Sequence, residues 1–225
     1  MKNQTKKRLN VLEKQRISLI IPVYNEELRI GNVLRVVSSL EWLDEIITID
    51  DGSSDGTVAE IERFPVRLIK FFDNRGKGAA LQRGLESLKA DIVLFLDADL
   101  VGLSESHLRQ LITPLLNNKD LAMTVGRFAG GRWSTDLSQR IAPILNGQRA
   151  LRAQFAGELP DLSSHRYGVE IFISTFAKKN NYKSEEIVLR GLSQVLKEEK
   201  EGVIKGTVYR YKMYGDLWKT WRKKR

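Results

Sequence analysis

The sequence predicts an α/β fold, a mostly parallel sheet with helices on both faces. Three observations carry this. Short runs that are apolar on both faces with few interruptions, such as Ile17-Ser18-Leu19-Ile20-Ile21-Pro22-Val23 and Ile92-Val93-Leu94-Phe95-Leu96, read as strands buried on both faces. Between them lie stretches with helical periodicity, as in Val33, Leu34, Val37 and Leu40. A polar loop follows each strand, which places a binding site at the strands' carboxyl ends.

Taken in order, the pattern gives strand 17–23 and helix 30–40, strand 45–50 and helix 57–64, strand 66–72 and helix 77–89. Strand 91–96, helix 105–117 and strand 121–125 follow. Beyond Gly126 the alternation lapses into a Gly-Gly-Arg loop, a helix over 135–155, an Asp-Ser-Ser-His loop and a helix near 169–178, read as a lobe that completes a pocket. The 225 residues, 42% hydrophobic and 29% charged, suit one domain.

The net charge of +9 is unevenly placed: residues 1–16 carry +5, residues 205–225 carry +7, and the body 17–204 carries −3. A basic excess confined to the ends argues against nucleic-acid binding by the folded body. In 205–225, Met213, Tyr214, Leu217, Trp218 and Trp221 recur at helical spacing among lysines and arginines, which suits a helix lying on anionic lipid or one packed on the domain. The arm 1–16 reads as a solubilising leader without a secretory signal. No apolar run reaches the roughly 20 residues needed to cross a bilayer. The expected location is cytoplasmic, with a peripheral contact at the inner face of the membrane. With no cysteine, any metal must be held by oxygen or by the two histidines.

Four polar segments follow the first four strands: Pro22-Val23-Tyr24-Asn25-Glu26-Glu27, Asp50-Asp51-Gly52-Ser53-Ser54-Asp55-Gly56-Thr57, Asn74-Arg75-Gly76-Lys77-Gly78 and Asp97-Ala98-Asp99. Asp97 and Asp99, two apart after a buried strand, present paired carboxylates that suit Mg²⁺ or Mn²⁺ and a substrate diphosphate. The Asn74–Gly78 segment offers free backbone N–H groups, a helix N-terminus and the Lys77 ammonium to phosphate, without the Walker pattern. Asp51 can accept from a nucleobase, Tyr24 can stack on it and Glu26 can reach a ribose, whereas Asp55 and Thr57 are read as capping residues. His107, in a surface helix pattern, is read as structural.

Together the four segments resemble the inverting family 2 glycosyltransferases of the GT-A (Rossmann-like) fold, over about residues 17–100. The resemblance implies that Pro22, Tyr24, Glu26 and Asp51 hold the nucleoside, Lys77 the diphosphate, and Asp97, Ala98 and Asp99 the sugar and metal. It divides the domain into a nucleotide-sugar half, 17–125, and an acceptor half, 126–204. The first half is similar to dolichyl-phosphate mannose synthases. Gly130-Gly131-Arg132, Pro143-Ile144-Leu145-Asn146 and Tyr167-Gly168-Val169-Glu170-Ile171 are similar to glucosyl-3-phosphoglycerate synthases.

An inverting transfer needs a carboxylate base, for which Glu170 is the candidate, Asp161 the reserve, and pairing with Arg166 or Arg132 the structural alternative. The synthases also place a metal-binding His after the last core strand. Here no His follows His165, and Gln194 or its neighbours occupy that stretch. His165, Arg132 and Arg166 are candidates for the acceptor, a polyprenyl phosphate or a small phosphorylated acid. The expected activity is metal-dependent transfer from a UDP- or GDP-linked sugar; the alternatives are a catalytically silent nucleotide-sugar-binding protein and a nucleic-acid-binding protein.

Overall fold

A computed structural model describes residues 15–129, 147–166 and 168–194. The arm up to residue 14, the tail 205–225, Arg132, Tyr167 and most of the expected helix 135–155 lie outside the described residues.

Among the described residues a seven-stranded sheet has the order β3-β2-β1-β4-β7-β6-β8, from β1 (Ile17–Val23), β2 (Glu45–Asp50), β3 (Arg67–Lys70), β4 (Ile92–Phe95), β6 (Leu121–Phe128), β7 (Arg149–Arg152) and β8 (Lys183–Leu189). All pairs are parallel except those of β7, which runs antiparallel to β4 and β6. A separate antiparallel pair joins β5 (Leu100–Val101) to β9 (Ser193–Gln194). The helices among the described residues are α1 (Ile30–Val37), α2 (Thr57–Ile61), α3 (Lys77–Glu86), α4 (Glu105–Asn117), α5 (Ala153–Glu158) and α6 (Val169–Lys179). None is long and apolar enough to cross a membrane.

The two-residue period of the strands divides the core. Leu19 and Ile21 of β1 and Ile92 and Leu94 of β4 pack with α1 and α4, while Ile20, Val93 and Phe95 pack on the other face with α3, α5 and α6. The expected helix 135–155 is corrected here: Arg149–Arg152 is a strand whose Arg149, Ala150 and Leu151 are all buried, and only Ala153–Glu158 is helical. An antiparallel strand fills the gap between β4 and β6, where both neighbours are already in place. β5, β8 and β9 have no counterpart in the sequence expectation; β8 reads Lys-Ser-Glu-Glu at its start, an edge strand with charge outward.

The chain passes outward through β2 and β3, then returns to lay β4 on the other side of β1. A crevice opens outside the carboxyl ends of β1 and β4 at such a reversal. The segments after Val23 and after Phe95 lie there.

Candidate active site

Continuing the alternation of β4 by one step puts Asp97 on the Val93 and Phe95 face, which α3 and α6 cover. Lys77 opens α3 and Glu170 stands in the first turn of α6, so one side chain from each helix meets the strand end. Lys77 Nζ donates to Asp97 Oδ1 at 2.5 Å and to Glu170 Oε1. Burial works against the ammonium, but Asp97 and Glu170 more than offset it, and the Lys77 pKa is raised. Beside them, Arg149 of β7 is 0% exposed and donates to Ser174 Oγ at 2.9 Å. Burial pushes its guanidinium down to about 10, with Glu170 and Asp97 opposing the shift.

Past Asp97 the chain turns at Ala98 and Asp99 instead of running on extended, yet the two carboxylates do converge. Gln194 Nε2 donates to Asp97 Oδ2 at 3.2 Å and to Asp99 Oδ1 at 2.7 Å. Gln148 Nε2, fully buried, donates to the same Asp97 oxygen at 2.9 Å, and its Oε1 has no hydrogen-bond partner among the described residues. Among the described residues, Asp97 and Glu170 thus face two cations, Lys77 and Arg149, and Asp99 is tied to Asp97 through the Gln194 amide.

On the other flank, Tyr24 is 45% exposed after β1, and Pro22 is held within the strand. Glu26 is buried, takes a bond from Arg29 Nη1 at 3.2 Å and donates its N–H to Thr57 Oγ1 at 2.8 Å. Asp51 accepts from the backbone N–H of Arg75 at 2.7 Å and of Gly76 at 2.8 Å, and burial raises its carboxyl pKa despite these bonds. The expectation of free amides in Asn74–Gly78 is therefore corrected: two are on Asp51, and Gly78 N–H donates to the His165 carbonyl at 3.2 Å. A Cβ on Gly78 would run into the Leu162 and His165 carbonyl oxygens, so this glycine lets α3 start against the 162–165 loop. The expected capping role of Asp55 is corrected: Gly56 is the N-cap of α2 with no side-chain cap bond, and Asp55, one residue earlier, accepts from Thr57 N–H at 3.0 Å and its hydroxyl at 2.5 Å in a turn that leads into the helix.

Glu170 pairs with Lys77 instead of Arg166, whose guanidinium holds Asn74 O at 3.0 Å and Oδ1 at 2.7 Å. Asp161 is exposed and accepts from Ser163 N–H in its own loop. His165 stacks on Phe172 at 4.0 Å. His107 is buried rather than on the surface: with Ser104 it forms a capping box, and its Nε2 bonds the Arg190 carbonyl at 2.9 Å. Sequence reasoning missed Arg149 and Gln148, which stood in a stretch taken for helix; an arginine and a glutamine carry no period to mark them as inward-facing.

Among the described residues no three His, Asp or Glu side chains are grouped to hold an ion. An ion here would rest on Asp97 and Asp99, glutamine oxygens and a donor's phosphates, an all-oxygen set that fits Mg²⁺ or Mn²⁺. The Gln148 Oε1, buried on the amide whose Nε2 meets Asp97 and without a partner among the described residues, adds an oxygen donor of the kind such an ion takes.

The profile of Glycosyl transferase family 2 matches residues 18–172. The chain belongs to glycosyltransferase family 2. This family member is 36% identical over 106 residues to a dolichyl-phosphate beta-glucosyltransferase of Dictyostelium discoideum, covering 40% of this chain and 32% of that one. It is 30% identical over 205 residues to a glucosyl-3-phosphoglycerate synthase of Petrotoga mobilis, covering 74% and 62%. The match thus spans about a third of the first relative and under two thirds of the second. The glucosyl-3-phosphoglycerate synthase of Mycobacterium tuberculosis, solved with Mn²⁺, UDP and glucosyl-3-phosphoglycerate, superposes with a TM-score of 0.69 at 23% identity, over 84% of this chain and 75% of that one. This likeness establishes the GT-A fold.

Proposed function

We propose that this glycosyltransferase moves a sugar, with inversion, from a nucleoside diphosphate sugar to an acceptor hydroxyl or phosphate. The observation that carries the reading is the meeting of Lys77, Asp97 and Glu170 at the mouth of the β1–β4 crevice, with Asp99 beside them. Pro22, Tyr24, Glu26 and Asp51 flank the nucleoside, and Ala98, Asp97 and Asp99 the sugar and diphosphate. Glu170 takes the acceptor proton as the oxygen attacks the anomeric carbon, and the bond to the diphosphate breaks. Lys77 then faces charge developing on the leaving group. An ion on Asp99 and Asp97 would supply further positive charge there. The acceptor is a polyprenyl phosphate or a small phosphorylated acid, as the names of the two relatives suggest, with Arg166 and His165 on its side of the site.

The test is a thermal-shift panel of UDP, GDP and their sugars, with and without Mn²⁺, on wild type and Asp99→Ala. A Mn²⁺-dependent shift for one base, lost in Asp99→Ala, supports the donor site. Turnover that survives Glu170→Gln undiminished would remove Glu170 as the base, and binding without turnover in any acceptor assay would favour a silent nucleotide-sugar binder.

A further inference from the structure

Gln194 is placed by three independent devices. In the β5–β9 pair, Gln194 stands opposite Leu100, the residue after Asp99. The Arg190 carbonyl, at the turn into β9, is held by buried His107, whose Nε2 must carry the proton because a carbonyl only accepts. Gly102, at φ +79, lets the turn come close, since a Cβ there would meet the Gly191 carbonyl oxygen. Held this way, the Gln194 amide spans the carboxylates of Asp97 and Asp99.

A carboxamide can serve either sign of partner. Its NH₂ faces carboxylates, and half a turn about the last side-chain bond puts Oε1 in the same place without moving the stem. Asp97 Oδ2 already receives Gln148 Nε2 from the buried side, so what Gln194 adds is the reach to Asp99. We propose that Gln194 is the neutral oxygen ligand that completes the cation site, turning Oε1 inward when a divalent ion sits against Asp99 and Asp97. This rests on the reading of those two carboxylates as the donor's metal site.

Charge favours a neutral ligand. Counted over the described residues alone, Asp97, Asp99 and Glu170 with Lys77 and Arg149 sum to one negative charge, which a divalent ion turns into one positive charge facing a diphosphate; a carboxylate at 194 would cancel it. Donor type sets selectivity: with Gln194 the site is all oxygen and prefers Mn²⁺ and Mg²⁺, whereas an imidazole would draw Ni²⁺ and Zn²⁺.

The experiment measures Mn²⁺ binding to the full chain from the paramagnetic signal of free Mn²⁺, with UDP and in a parallel series with GDP. Wild type, Gln194→Ala, Gln194→His and Asp99→Ala are compared, with Ni²⁺ competition for each. Gln194→Ala is expected to weaken Mn²⁺ by about tenfold, as loss of a metal-site partner typically does. Gln194→His is expected to move the Ni²⁺ over Mn²⁺ preference up by at least about tenfold. If Gln194→Ala binds Mn²⁺ as tightly as wild type or more so, while Asp99→Ala loses it, the amide only shields the carboxylates; the inference is overturned and the donor site stands. If Asp99→Ala binds Mn²⁺ unchanged, the ion reading fails and this one with it. Gln194→His keeps the side chain's bulk, so an unchanged metal preference there overturns the proposal even if the alanine variant disturbs β9.

Discussion

Replacing Lys77 by methionine removes the ammonium and keeps the stem, leaving Asp97 and Glu170 facing each other across the gap it filled. Their side chains are only 10% and 9% exposed, while that of Lys77 is 29% exposed. At an effective dielectric of about 20, each contact at roughly 3 Å has a gross attraction of about 5 kcal/mol, much of it offset by desolvation. Breaking a buried pair from one side costs about 3–5 kcal/mol, and the partial exposure of Lys77 lowers the expectation to about 2–4 kcal/mol. Urea unfolding at neutral pH should show this as a lower midpoint at unchanged slope. The double variant Lys77→Met/Glu170→Gln should recover part of the loss, because one of the stranded charges is gone. The sign with pH follows the raised Lys77 pKa: burial opposes it but Asp97 and Glu170 prevail, so the ammonium's stabilisation is complete below the ordinary lysine range and fades as pH rises through the raised value, and the deficit should narrow only in strong alkali. A loss under about 1 kcal/mol, or one that is already gone at neutral pH, would refute the ion-pair reasoning.

Arg149→Met should destabilise by about 3 kcal/mol, since it withdraws a buried cation from Glu170 and Asp97, and urea unfolding measures it. Asp55→Ala removes the acceptor of Thr57 and Glu27 N–H and should cost about 1 kcal/mol, read as a drop of roughly 2–4 °C in midpoint. Burial opposes it, but bonds from Thr57 and Glu27 lower the Asp55 pKa, so its stabilisation is present above the ordinary carboxylate range and fades as pH falls through the lowered value. Gly78→Ala should cost about 1–3 kcal/mol and weaken UDP or GDP binding measured by calorimetry, because the clash pushes the 162–165 loop away from Lys77. Deleting residues 205–225 should abolish pelleting with anionic vesicles if that stretch lies on lipid; equal pelleting of both forms would remove the role.

Much of the sheet's first half was legible because its strands are buried on both faces and its helices on one, so periodicity alone separates them. α4 was read to the residue, and β1 as well. Legibility failed at β7, where Arg149-Ala150-Leu151-Arg152 mixes charge and apolar residues with no two-residue period, because Arg149 is buried among Ser174, Glu170 and Asp97 rather than turned to water. It failed at β5 and β9 because two-residue strands carry no period at all.

The sequence by itself determined the polar segments at the strand ends, the paired Asp97 and Asp99, the absence of thiol chemistry and the family. These are local: a strand, a turn and residue types a few positions apart. The tertiary structure alone decided their partners. It put Lys77 between Asp97 and Glu170, 93 positions from the latter, turned the expected free amides of Arg75 and Gly76 onto Asp51, and brought Gln194 across Asp97 and Asp99. The physical reason is that a side chain's partner is chosen by which faces of the sheet its helix covers and which strands become neighbours, and neither quantity has a local signature in the chain.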